Sequence, residues 1–171
     1  MRLIHCTNRL ISELKTNVQP KDNNHINTGL GDWYANIFDF NRRYCLLYTN
    51  SKTLVSFIVP DLLKKDLKNF LDFYIKGVQD ILTHAGINKD LIERIMVEYI
   101  HIQIVTTESK AVLGSMNDFV QDYKFIFGKD KHRFIKTIQH FNQNILEKPM
   151  GALKFATPLE RLKELINEEY K

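Results

Sequence analysis

The stretch "WYANIFDFNRRYCLLYTNSKTLVSFIV", residues 33–59, contains three runs rich in aromatic and β-branched residues. The runs WYANIFDF, RYCLLYT and TLVSFIV are parted by Asn41-Arg42 and by Asn50-Ser51-Lys52, connections short enough for hairpins. Strands joined so tightly run antiparallel, as a meander. In the middle run Tyr44, Leu46 and Tyr48 alternate with Cys45 and Leu47. Both of its faces are therefore largely apolar, which places it centrally, covered on both sides.

Working outward, "RLIHCT" (2–7) reads as a short strand and "NRLISELK" (8–15) as a helix capped by Thr7 or Asn8. Residues 16–32, rich in Asn, Asp, Gly, Thr and Pro, form a long polar loop, a feature often functional or mobile in a compact domain. Downstream, Pro60-Asp61 opens a long helix. Leu63, Leu67, Phe70, Leu71, Tyr74, Val78, Ile81 and Leu82 keep its helical spacing, and Gly86 suits its C-terminal cap. A second helix spans about 89–99, and the strand at 100–107 sets Ile100, Ile102 and Ile104 against His101 and Gln103. Helices follow at 109–127 and near 131–146. The last begins with Thr157, Pro158 and Glu160, a capping box with proline at the first position. The order β-α-β-β-β-α-α-β-α-α-α is an α+β pattern. It predicts one domain over 1–171: a small, mainly antiparallel sheet of the β-meander plus the N-terminal and 100–107 strands, packed by several helices. The portion from about 128 is helical.

Composition bounds the function. A chain of 171 residues with 44 % hydrophobic residues can bury a sizeable core. No apolar run approaches the ~20 residues that span a bilayer, and "MRLIHCTNRLISEL" lacks the apolar core of a signal peptide. The expectation is a cytoplasmic protein with no membrane partner. Cys6 and Cys45 lie in strand-like runs and read as reduced core thiols, with a disulfide or a reactive thiol as the alternative. There is no Gly-x-Gly-x-x-Gly, Walker loop or Gly-x-Ser-x-Gly, so no cofactor is expected. None of His5, His25, His84, His101, His132 and His140 has metal-ligand spacing, so no metal site is expected either.

Three places carry candidate chemistry. In "SKAVLGSMNDFVQDYKFIF" (109–127), Val112, Leu113, Met116, Phe119, Val120, Tyr123 and Phe127 form one stripe. Ser115, Asp118 and Asp122 lie on one flank, Asn117 and Lys124 on the other, and Gly114 opposite the stripe. Either Gly114 admits the close approach of another element or a ligand, or residues 109–115 are a capping turn and the helix begins later. In the first hairpin, Arg42 or Arg43 could grip an anion through its planar fork, or the pair could be a solvated turn with one ion pair, to Asp39 or Asp118. Asn36 interrupts the strand face of Tyr34, Phe38 and Phe40 and needs hydrogen-bond partners if buried. Finally, Lys124, Lys129, Lys131, Arg133 and Lys136 stand against Asp130 alone, an excess equal to the whole chain's net +4. Interleaved with Phe125, Phe127 and Phe134 they could serve nucleic acid, or they are the wet side of a buried helix.

The Trp33-x-Ala35-Asn36 strand, the Asn41-Arg42-Arg43 turn and Leu113-Gly-Ser-Met-Asn-Asp118 resemble an uncharacterised prokaryotic family of small proteins, a domain of unknown function. The likeness covers roughly residues 2–120, nominates those positions and implies no activity. No specific activity is deducible from the residues. The leading expectation is a small interaction module recognising an anionic ligand, nucleic acid or another polyanion, or a protein partner. Asn36, Arg42, Arg43, Gly114, Ser115, Asn117 and Asp118 would form one polar locus. The alternative is a metal-dependent phosphodiesterase or nuclease-like hydrolase with Asp118 and Asp122 holding the ion.

Overall fold

The structure, a computed structural model, describes residues 2–21, 25–27, 29–128 and 134–170, with the backbone alone for 134–137. Among the described residues the order is β1 (Arg2–Cys6), α1 (Asn8–Leu14), β2 (Trp33–Phe40), β3 (Arg43–Asn50), β4 (Ser56–Leu62), α2 (Phe70–His84), α3 (Lys89–Val97), β5 (Ile102–Thr106), α4 (Lys110–Phe127), α5 (Phe134–Leu146) and α6 (Pro158–Glu169). This is the order that the residue pattern predicts. One five-stranded mixed sheet, β4-β3-β2-β1-β5, carries the α+β fold. The meander supplies the antiparallel pairs β2–β3 and β3–β4, the larger share of the pairing, while β1 runs parallel to both β2 and β5.

The hairpin at Asn41-Arg42 holds both residues at positive φ (49° and 63°), the hand that primed two-residue turns need to match strand twist. The second connection is longer than the expected three residues. The Asn50 carboxamide accepts from the amides of Lys52 and Thr53, both at 3.0 Å, and donates to the Leu30 carbonyl at 2.8 Å. This buried Asn side chain builds a wider turn, so the third strand starts at Ser56 rather than Thr53 and runs on through Pro60. Proline is tolerated there because β4 is an edge strand whose outer N–H groups serve no neighbouring strand. The helix expected from Pro60 is correspondingly later: Lys64–Asn69 is a 3₁₀ turn, and α2 begins at Phe70.

Alternation divides the core into two layers. Ile4, Cys6, Trp33, Ala35, Leu46, Tyr48 and Phe57 face α2, α3 and α6, whereas Tyr34, Phe38, Cys45, Leu47 and Ile58 face α4 and α5. Cys6 and Cys45 are thus free thiols on opposite faces of the sheet. Burial pushes Cys45 up to about 11 and Cys6 higher still, so both are poor nucleophiles. In the first layer Tyr48 stacks on Phe57 at 4.8 Å and donates its hydroxyl to the Phe70 carbonyl at 2.8 Å. Trp33 meets Tyr74 edge-on at 5.6 Å.

That aromatic layer explains one helical glycine and not another. A Cβ on Gly77 would lie 2.1 Å from the Phe57 ring, which is held by ring contacts with Tyr48 and Trp33. A Cβ on Gly114 would meet nothing within 4 Å. We expect Gly77→Ala to lower stability by about 1–3 kcal/mol through overpacking. Gly114→Ala should raise it by about 0.5–1 kcal/mol through helix propensity. Urea denaturation of the two variants checks both signs.

Candidate functional site

The side chains of α4 and α5 cover β2, β3 and β4 on one face of the sheet. Over β1 on that face the cover is polar. Alternation points Leu3 and His5 of β1 there, with Tyr34 of β2 and Asp32 just before it. The Asp32 carboxylate is 3 % exposed. Its Oδ1 accepts the Leu3 amide at 3.2 Å, and His25 Nε2 lies 3.0 and 2.9 Å from its two oxygens. His5 Nε2 stands 3.8 Å from Oδ2, and His5 Nδ1 is 2.9 Å from the Thr106 carbonyl of β5. A carbonyl only accepts, so Nδ1 carries a proton and Nε2 is the atom turned to Asp32. The His5 ring stacks on Tyr34 at 4.6 Å, and the Tyr34 hydroxyl accepts the amide of Ser109, the N-cap of α4.

Burial alone would raise the Asp32 carboxyl. The facing His5 ring, the hydrogen bond from the Leu3 amide and the contact with His25 outweigh it and hold Asp32 below the usual carboxylate range. An ionised carboxylate that orients two imidazoles is the arrangement acid–base sites use. Here all three side chains are buried, and the group ties His25 and Asp32 to β1. Among the described residues no group of three His, Cys, Asp or Glu side chains is placed to hold a metal ion. On the other face of β1, Arg2 pairs with Glu98, whose Oε1 accepts the Tyr170 hydroxyl at 2.7 Å. Gly29, at φ 54°, packs so closely on Tyr170, Arg2 and Glu98 that any side chain would collide.

The residues nominated from the pattern fall in several places. Asn36 lies on the α4 face and accepts a hydrogen bond from Thr7, the cap of α1, at 3.1 Å. Ser115 faces inward and is buried, while Gly114, Asn117 and Asp118 are exposed. α4 begins at Lys110 after the Ser109 cap, so 109–115 is not a capping turn with a later helix. Among the described residues none enters the space left by Gly114. Arg42 and Arg43 are exposed at the hairpin, and Arg43 pairs with Asp61 at 3.4 Å, neither Asp39 nor Asp118. Asp39 pairs instead with Arg9 at 2.5 Å. Lys124 is exposed, with its ammonium 5.9 Å from the Phe38 ring. Lys129, Lys131 and Arg133 lie outside the described residues, as does the side chain of Lys136.

A groove of about 750 Å³ opens at the β4 edge, where α2 and α5 flank that strand from opposite faces. Phe57, Val59, Phe73, Ile81 and Leu146 give it an apolar base. Lys76, Asp80, Thr83 and His84 line the α2 wall, and Gln139, Asn142 and Gln143 the α5 wall. Both sets keep helical spacing on one side of their helix. Residue patterning nominated neither the groove nor the Asp32 cluster. Two signals pointed to the cluster: a histidine at an inward position of an apolar strand, and a polar loop of unusual length.

These features define an α+β protein with a mixed sheet, a buried carboxylate junction and an open edge groove. The chain belongs to the family described as Domain of unknown function (DUF6933), whose model matches residues 3–161. No curated protein matches it. Among the described residues no helix is long and apolar enough to cross a membrane.

Asp32 gives the clamp a pH signature. A carboxyl whose folded pKa lies below its unfolded value adds stability above the unfolded pKa and loses it as pH falls through the folded one. Asp32→Asn should therefore cost about 1–3 kcal/mol near neutral pH. It should cost progressively less as pH falls below the ordinary carboxylate range. Urea midpoints of wild type and variant across pH check this; parallel curves would show that Asp32 does not carry the effect.

Proposed function

We propose that this protein is a binding module whose recognition site is the groove between β4, α2 and α5. The groove itself carries the reading. Its volume of about 750 Å³ lies within the range of ligand pockets, roughly 300–1,000 Å³. An apolar base bordered by a few orienting polar groups is the composition such sites share. The hydrolase alternative has less support, because the Asp122 carboxylate is already held by Lys148 at 2.6 Å and Asp118 stands exposed one turn earlier.

A second reading rests on a separate observation. At the end of α4, Lys124 is exposed beside Phe125 and Ile126, which are 71 % and 50 % exposed, just before the cation-rich 129–136 sequence. An exposed aromatic next to cations suits single-stranded nucleic acid or another polyanion.

The dye anilinonaphthalene sulfonate should bind the native protein and fluoresce. Gln143→Trp, which puts a large ring on the groove wall, should abolish that signal without lowering the urea midpoint. Dye binding that ignores the substitution would remove the groove as the site. A labelled oligonucleotide bound at low salt and released steeply with added salt would promote the second reading.

A further inference from the structure

We infer that the occupant of the groove is an extended peptide segment, its backbone read by the carboxamides of Gln139 and Gln143; this rests on the groove being the recognition site. Asn142, on the same wall, shows the chemistry at work within the chain. Its Oδ1 accepts the Ile58 amide at 2.9 Å and its Nδ2 donates to the Ile58 carbonyl at 3.0 Å. A carboxamide has one donor edge and one acceptor edge, so it can pair with the N–H and C=O that one residue of an extended chain turns to the same side. Asn142 thereby closes the outward N–H and C=O of Ile58 on the edge strand. A partner would therefore lie against the α5 wall instead of adding a sixth strand at Ile58.

Gln139 and Gln143 stand exposed on that wall, one helical turn apart. Residues at this spacing have Cβ atoms about 5–6 Å apart. In an extended chain, residues that turn their N–H and C=O to the same side recur every two positions, at roughly 6.6–6.8 Å. The flexible glutamine side chains bridge that small difference, so the two repeats match. The opposite wall selects against a charged ligand. Lys76 and Asp80 pair with each other at 3.3 Å, leaving little net charge to attract an anion or a cation. The base of Phe57, Val59, Phe73, Ile81 and Leu146 takes apolar side chains from alternate positions. A neutral strand with apolar residues at i and i+2 satisfies all three surfaces. Among the described residues of the walls, the Lys76 ammonium that a nucleic-acid strand would seek is already paired with Asp80.

The test is selection from a displayed library of random linear heptapeptides against the full chain, followed by affinity measurement on the best synthetic peptide. We expect a consensus with apolar residues two apart. The Gln139→Ala/Gln143→Ala variant should weaken binding about tenfold, the loss of two ordinary hydrogen bonds, with an unchanged urea midpoint. Methylating the peptide nitrogens that face the glutamines should weaken it similarly. A peptide indifferent to both changes would overturn backbone reading. If no consensus emerges while the dye still fills the groove, the occupant is not a peptide and the groove stands. If the dye fails as well, both readings fall.

Discussion

Parallel pairing of β1 with β2 is the constraint on which the rest of the structure depends. Two strands that run the same way cannot be joined by a hairpin, so the chain leaving β1 at Cys6 must travel back the length of the sheet before β2 begins at Trp33. α1 makes part of that return. The described residues after it decide where polar groups are buried. The Gln19 amide bonds the Ile104 carbonyl and the Gln103 carboxamide bonds the Pro20 carbonyl, so the segment lies along the outer edge of β5 at Gln103 and Ile104. Further on it brings His25 and Asp32 over β1 on the face covered by α4 and α5. A polar cover on a sheet face has to satisfy its own polar atoms. The Asp32 carboxylate does so by taking the Leu3 amide and His25 and by facing His5.

The other edge is managed by different means. β4 presents a proline, and Asn142 takes the outward N–H and C=O of Ile58, so its hydrogen-bonding edge is partly closed. α2 comes close on one side because Gly77 has no side chain to strike Phe57, and α5 is pinned on the other by Asn142. Two helices fixed on opposite faces of an edge strand leave a trough between them. The groove is thus a by-product of how the edge is protected, and its walls take their chemistry from the exposed flanks of two amphipathic helices.

Much of this was determined by sequence alone. Aromatic and β-branched runs at 33–59 set the meander, the alternation at Tyr44–Tyr48 set its two covered faces, and the Thr157-Pro158-Glu160 start set α6. These are local matters, in which a residue's neighbours along the chain decide its conformation. The start of the third strand was less legible, because the Asn50 side chain that widens the turn works through Leu30, twenty positions away. Arg43 found Asp61 only through the pairing of β3 with β4. The sites belong wholly to the tertiary structure. His5, His25 and Asp32 carry no shared spacing, and they meet because a parallel crossover folds one segment back onto another. The two groove walls come from α2 and α5, more than fifty residues apart. Patterning reports which side of an element is apolar. Which polar sides end up facing each other depends on long-range pairing, and that is written in no single stretch of the chain.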